Sequence, residues 1–173
     1  MPDRPRHVLF LCTGNSARSL MAEAALAHHG AGRFRAFSAG SFPTGHPHPM
    51  ALETLRDRGL PTDGLRSKSW DEFAAPGAPE IDVVLTVCDN ARAETCPVWP
   101  GHPVTAHWGV EDPAACEGPE DEQRLLFRRV FETLESRIRA LVRLTPEAED
   151  PAVLQERLEA LAAADPPADV RGP

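Results

Sequence analysis

Short, apolar, β-rich runs alternate with helical patterns along the first 143 residues, and this alternation limits the fold more than any other feature of the sequence. The predicted strands are residues 7–11, 33–38, 81–87 and 104–108. The predicted helices follow the first strand up to Gly30 and cover residues 50–58 and 120–143, with one or two further turns at 70–74. Strands that alternate with helices form a parallel sheet covered on both faces, so the sequence predicts an α/β fold. Because handedness rules leave few topologies, we expect four strands in the order 2-1-3-4.

The composition changes after Thr145, which divides the chain into a predicted domain of residues 1–145 and an extension of residues 146–173. In the extension, Asp150 and Pro151 are typical of a helix N-cap and first helical position. Apolar residues follow at helical spacing, so a short helix is expected at about 151–164, with a disordered end from 165. This helix either covers the domain's own surface or pairs in a dimer, and we expect a monomer or a weak homodimer.

Charge and composition exclude several classes of protein. The 173 residues are 42% hydrophobic, which is enough for a core, and the formal net charge of −8 argues against nucleic acid or an anionic membrane as partner. No apolar run approaches the roughly 18–20 residues of a membrane span, so a cytoplasmic protein is expected. The four cysteines lack the spacing of a structural zinc site, and we expect no metal. A dinucleotide enzyme is disfavoured because no G-x-G-x-x-G motif follows the first strand.

The loop between the first strand and the first helix carries the clearest chemical signal. Its backbone N–H groups and the positive end of the helix suit an anion, and Arg18 offers a planar fork for two oxygens. The same field predicts a lowered pKa for Cys12, towards which Ser19 would donate a hydrogen bond, while Asn15 tolerates the left-handed conformation. The expected oxyanion-binding residues are Thr13, Gly14, Asn15, Ser16, Ala17, Arg18 and Ser19. The alternative is a buried cysteine beside an ordinary arginine.

Residues 8–23 closely resemble the active-site loop of low-molecular-weight protein tyrosine phosphatases, and resemble still more closely the arsenate reductases built on the same fold. Ser38-Ala39-Gly40 and residues 81–88 and 107–113 extend the resemblance over about residues 7–143. It implies Cys12 as nucleophile, Arg18 as anion clamp and Asp112 as general acid. The alternative for Asp112 is a turn-forming Asp-Pro pair.

Two further thiols favour the reductase over the phosphatase. Parallel neighbouring strands lie about 4.8 Å apart, so Cys88, which directly follows the third strand, is expected within disulfide reach of Cys12. In the implied relay, Cys12 attacks arsenate, Cys88 attacks Cys12 and releases arsenite, and Cys96 then attacks Cys88. The alternatives are a core thiol at Cys88 and an inert loop thiol at Cys96. Cys116 is expected to be a bystander.

The resemblance leaves the reductant open between thioredoxin, glutaredoxin and a small thiol such as glutathione or mycothiol, with no other cofactor. Seven residues separate Cys88 from Cys96, one more than in the thioredoxin-coupled reductases of this family. The alternative function is hydrolysis of phosphotyrosine through a phosphocysteine intermediate. Ala114 follows Asp-Pro where those phosphatases usually have an aromatic residue, and the chain has no tyrosine. A hypothesis of another class is a non-enzymatic oxyanion binder whose helix at 151–164 docks on a partner.

Overall fold

Four parallel strands form one sheet in the part of the chain that the computed structural model describes, which comprises residues 4–88, 103–144 and 150–163. The strands are β1 (Arg6–Cys12), β2 (Phe34–Gly40), β3 (Val83–Thr86) and β4 (Val104–His107). Their order is β2-β1-β3-β4, and each neighbouring pair is parallel. The predicted sheet and its strand order are confirmed, and the strand bounds differ from those expected only at their ends.

Helices follow the strands in the described part of the chain. They are α1 (Arg18–His29), α2 (Pro49–Asp57), the short α3 (Asp71–Ala74), α4 (Glu120–Leu141) and α5 (Pro151–Ala163), with a 3-10 turn at Pro113–Ala115. The start of α2 shows how local chemistry sets a boundary. The ring Nδ1 of His48 accepts a hydrogen bond from the backbone N–H of Met50 at 3.1 Å, and proline occupies the first helical position.

Alternate residues of β1 face the two sides of the sheet. Val8 and Phe10 belong to the larger core, which is shared with α1, α2, α4 and α5. Leu9 and Leu11 point to the smaller core, where Phe73 of α3 covers them. Both faces are therefore covered by helices, as predicted, and β1 is buried between them.

Helix α5 packs on the same core as the sheet. Leu154 and Leu158 are buried in the larger cluster, and the indole Nε1 of Trp108 donates a hydrogen bond to the backbone oxygen of Leu158 at 2.8 Å. The division of the chain at residue 145 stays a prediction, and the predicted disordered end lies outside the described residues.

Among the described helices, none has both the length and the apolar character that crossing a membrane requires.

Candidate active site

The loop that joins β1 to α1 lies at the carboxyl edge of the sheet. Cys12 is the last residue of β1, and α1 begins at Arg18. Asn15 adopts the left-handed conformation with φ of 45°, and its backbone N–H donates to the sulfur of Cys12 at 3.2 Å. Gly40 of β2 lies against this loop so closely that a Cβ there would sit 2.4 Å from the backbone oxygen of Thr13. The loop is thus held from behind by the neighbouring strand.

The outer side of the loop is held by the segment that follows β2. The backbone oxygens of Thr13 and Gly14 accept from the N–H groups of Phe42 at 2.9 Å and Thr44 at 3.0 Å. The oxygen of Ser16 accepts in the same way from His48 at 2.8 Å. These bonds fix the path of the loop between the nucleophile and the arginine.

Side chains beneath the loop form a buried hydrogen-bond network that ends on the sulfur of Cys12. Ser19 Oγ lies 3.0 Å from that sulfur, and Asn15 Nδ2 donates to Ser19 Oγ at 2.8 Å and to Ser38 Oγ at 3.0 Å. Asn15, Ser19 and Ser38 are fully buried. Hydrogen bonds of this kind stabilise a thiolate.

Cys88 lies beside Cys12 at the same edge of the sheet. Leu11 is opposite Thr86 in the register of β1 with β3, and the backbone N–H of Val87 donates to Leu11 at 2.8 Å, so Cys88 follows directly. Both cysteines are buried and reduced. The adjacency expected for the two thiols is what the structure shows.

The pKa of Cys12 lies well above its ordinary value, contrary to the lowered pKa that the sequence predicts. The hydrogen bond with Cys88 is the largest cause, and burial, which disfavours the charged thiolate, comes next. Ser19 acts in the opposite direction. The prediction was wrong because it considered only the loop and its helix, whereas the adjacent Cys88 and the burial of the site both oppose a negative charge on Cys12.

Arg18 and Asp112 meet at the mouth of the loop. Arg18 Nη1 donates to the backbone oxygen of Val110 at 3.1 Å, and its Nη2 lies 3.5 Å from a carboxylate oxygen of Asp112. Asp112 also accepts from the backbone N–H of Ala114 at 3.0 Å and so caps the 3-10 turn. The Asp-Pro pair therefore forms a turn and also brings a carboxylate to the predicted anion clamp.

In the described part of the chain, the structure does not bring the other two cysteines into the site. Cys116 is half-buried and free, and Cys96 lies outside the described residues. Within the described ranges, no cluster of three histidine, cysteine or acidic residues is arranged to hold a metal ion.

Sequence reasoning missed two residues beneath the loop, Glu23 and Lys68. The backbone N–H of Lys68 donates to Asn15 Oδ1 at 2.9 Å, and its ammonium lies 3.8 Å from Glu23. The available signal was that Lys68 is the only lysine of the chain.

Comparison with known proteins agrees with this geometry. The family model of low molecular weight phosphotyrosine protein phosphatase matches residues 7–157. The chain therefore belongs to that family.

Its relatives within the family include arsenate reductases. The arsenate reductase of Bacillus licheniformis is 37% identical over 132 residues, which cover 76% of this chain and 91% of that protein. The thioredoxin-dependent arsenate reductase of Corynebacterium glutamicum has a TM-score of 0.59 at 27% identity, over 83% of this chain and 63% of that longer chain. A low molecular weight protein tyrosine phosphatase from T. tengcongensis superimposes with a TM-score of 0.64 at 26% identity, over 80% of this chain and 98% of that one. The fold is thus common to both activities, and the site has to distinguish them.

Proposed function

We propose that this chain reduces arsenate to arsenite with Cys12 as the nucleophile. The observation that carries the proposal is the second buried thiol, Cys88, beside Cys12. Hydrolysis of a phosphate ester needs one thiol and water, whereas reduction of arsenate needs two electrons, which a pair of thiols supplies when it forms a disulfide. The sequence similarity to arsenate reductases supports the same choice.

In the first step, the thiolate of Cys12 attacks arsenic and forms a sulfur–arsenic bond. Arg18 binds two oxygens of the oxyanion, and the backbone N–H groups of residues 13–19 contact the others. Asp112 gives a proton to the departing oxygen, which leaves as water. Arsenic remains in the pentavalent state at this point.

In the second step, the thiolate of Cys88 attacks the sulfur of Cys12. The sulfur–arsenic bond breaks, arsenic keeps its electron pair, and trivalent arsenite leaves. The two sulfurs are oxidised to a Cys12–Cys88 disulfide, which balances the two electrons that arsenic gains. Cys96 then attacks Cys88, forms a Cys88–Cys96 disulfide and returns Cys12 to the thiol state.

An external thiol reductant closes the cycle. We assign a thioredoxin-type protein to this role because the similar reductase of Corynebacterium glutamicum is thioredoxin-dependent. Glutaredoxin or a small thiol would react with the same disulfide and would be distinguished by direct assay.

The test is a single turnover of fully reduced protein with arsenate in the absence of added thiol. Free thiols are counted, and disulfides are mapped by mass spectrometry. We expect a loss of two thiols per chain, with one arsenite formed and a disulfide that contains Cys88. Cys116→Ser is the matched control and should lose the same two thiols, whereas Cys88→Ser should form neither disulfide nor arsenite.

Two outcomes would point elsewhere. Arsenite formed only after glutathione or mycothiol is added would assign the second electron to a small thiol and remove Cys88 from the relay. Absence of arsenite under both conditions, together with rapid hydrolysis of an aryl phosphate by the wild type and by Cys88→Ser, would contradict the proposal in favour of a phosphatase.

A further inference from the structure

A mostly buried pair of opposite charges lies beneath the active-site loop and has no part in the steps above. Glu23 is on α1, and Lys68 precedes α3. Their side chains are 18% and 7% exposed, and the ammonium lies 3.8 Å from the carboxylate. A buried ion pair is expensive to desolvate and is weak support for stability, so its presence beneath a reactive loop calls for another reason.

Ser38 connects this pair to the loop. Its hydroxyl donates to Glu23 Oε1 at 2.5 Å, and its oxygen accepts from Asn15 Nδ2 at 3.0 Å and from the Lys68 ammonium at 3.4 Å. The amide nitrogen of Asn15 and the ammonium of Lys68 can only donate hydrogen bonds to the Ser38 oxygen. An ionised Glu23 has no proton to give, so it takes the hydroxyl proton of Ser38 and leaves the Ser38 oxygen to accept from both donors.

A protonated Glu23 would permit the reverse arrangement, because its acid proton can lie on the oxygen that faces Ser38. Its acidic proton would be donated to Ser38, and the hydroxyl proton of Ser38 would then face the donors of Asn15 and Lys68. Burial raises the pKa of Glu23, and the charge of Lys68, the hydrogen bond from Ser38 and the charge of Arg66 oppose that rise. Burial likewise lowers the pKa of Lys68, and Glu23 opposes that shift, with Arg66 and Glu72 as the other charged groups acting on the ammonium. Each member of the pair thus favours the charged form of the other.

Asn15 in turn positions both donors to the sulfur of Cys12. Its own backbone N–H reaches the sulfur at 3.2 Å only because the residue holds its left-handed conformation. Its side chain donates to Ser19, which leaves the hydroxyl proton of Ser19 free to point at the sulfur 3.0 Å away. Lys68 holds this amide from the other end through its backbone N–H.

We propose that Glu23 and Lys68 are positioning residues for the nucleophile. The ion pair keeps the Ser38 oxygen as an acceptor, and the hydrogen bond to Ser38 fixes the position of the Asn15 side chain. Asn15 in turn orients the two donors to the sulfur of Cys12, which are its own backbone N–H and the hydroxyl of Ser19. The pair therefore favours the thiolate, against the opposite effects of burial and Cys88. The inference rests on Cys12 as the reactive thiol of the proposed function, but its test measures the thiol itself and uses no arsenate.

The test is the pH dependence of Cys12 alkylation by iodoacetamide, followed at the Cys12 peptide by mass spectrometry in the full-length chain. Lys68→Met should raise the apparent pKa of Cys12 by about one unit, which lowers the alkylation rate at pH 7 about tenfold. Arg128→Met is the matched control, because Arg128 is exposed on α4 and is not among the charged groups that act on Glu23 or Lys68. It should leave the profile unchanged.

Two double variants separate positioning from a general loss of structure. In a Ser19→Ala background, Lys68→Met should change the alkylation rate of Cys12 by less than about threefold, because the hydrogen bond between Ser19 and the sulfur is already absent. Adding Glu23→Gln to Lys68→Met should restore most of the rate, since the glutamine oxygen accepts from Ser38 without a charge. An unchanged profile in folded Lys68→Met, or an undiminished tenfold loss in the Ser19→Ala background, would overturn the proposal.

Ser38→Ala keeps the test decisive if Lys68→Met fails to fold. It removes one hydroxyl and cuts the link between the pair and Asn15, so it should also move the alkylation profile to higher pH. A Ser38→Ala profile identical to that of the wild type would refute the proposal independently of Lys68. A protein that alkylates as expected but does not reduce arsenate would contradict only the proposed function.

Discussion

Replacement of Leu158 by alanine tests whether α5 is part of the core that supports the active site. Leu158 is fully buried in the larger cluster, together with the side chain of Trp108. Truncation of a buried leucine to alanine costs about 2–5 kcal/mol, because the apolar contacts are lost and a cavity remains. The bond from Trp108 survives, since it ends on the backbone oxygen of residue 158. Val153, on the same helix but 39% exposed, is the matched control, and Val153→Ala should cost less than about 0.5 kcal/mol.

The assay is equilibrium unfolding in urea and by heat, followed by circular dichroism. For a chain of this size each kcal/mol lowers the melting temperature by about 2–4 °C, so Leu158→Ala should lower it by about 4–20 °C. Val153→Ala should melt within about 2 °C of the wild type. Equal, small effects of both substitutions would refute the reasoning, and the domain would then end near residue 145, as the sequence predicts.

Three further substitutions probe the site. Because Cys88 is the largest cause of the raised pKa of Cys12, Cys88→Ala should move the rise of Cys12 alkylation to lower pH. An unchanged profile would show that Cys88 does not affect the ionisation of Cys12. Asp112→Asn should slow arsenate-driven thiol loss by about 10²–10⁴-fold while arsenate binding persists, and a change of less than threefold would remove Asp112 as the acid. Gly40→Ala places a Cβ 2.4 Å from the backbone oxygen of Thr13, so it should lower both the melting temperature and the rate of Cys12 alkylation. Wild-type values of both would show that the loop can move to make room for the methyl group.

The sheet could be predicted because hydrophobic burial determines both the sequence pattern and the strand positions. Residues of β1 and β3 are apolar on both faces because helices cover both sides of the sheet, and such runs stand out. The ends were harder to predict. Residues 81–87 are apolar apart from Asp82 and Thr86, but the assigned strand is only Val83–Thr86, because burial continues where the regular pairing stops.

The active-site loop could be predicted because its chemistry is contiguous in the sequence. Cys12, Asn15 and Arg18 lie within seven residues, and the strand before and the helix after fix where the loop points. Cys88 could be placed beside Cys12 because carboxyl ends of neighbouring parallel strands share one edge. The raised pKa of Cys12 could not be predicted from the loop, because it depends on the close approach of two side chains that are 76 positions apart in the numbering.

Sequence reasoning missed Glu23 and Lys68 for a related reason. A glutamate in the second turn of a helix and a lysine in a loop are ordinary solvent-facing residues by composition. Only the packing of α1 and of the segment before α3 against the back of the loop buries them together. Patterns of hydrophobicity carry no information about such pairs, because each member alone is polar.

The two thiols that make a disulfide relay possible also make its first step harder. Proximity to Cys88 is what the proposed Cys12–Cys88 disulfide requires, and the same proximity raises the pKa of the nucleophile. A phosphatase with a single thiol has no such conflict. The hydrogen bonds from Ser19 and Asn15 to the sulfur act against that rise, and the Glu23–Lys68 pair maintains them. It follows that the benefit of Lys68 should be greatest when Cys88 is present, so Lys68→Met should slow alkylation of Cys12 at pH 7 less in a Cys88→Ala background than in the wild type.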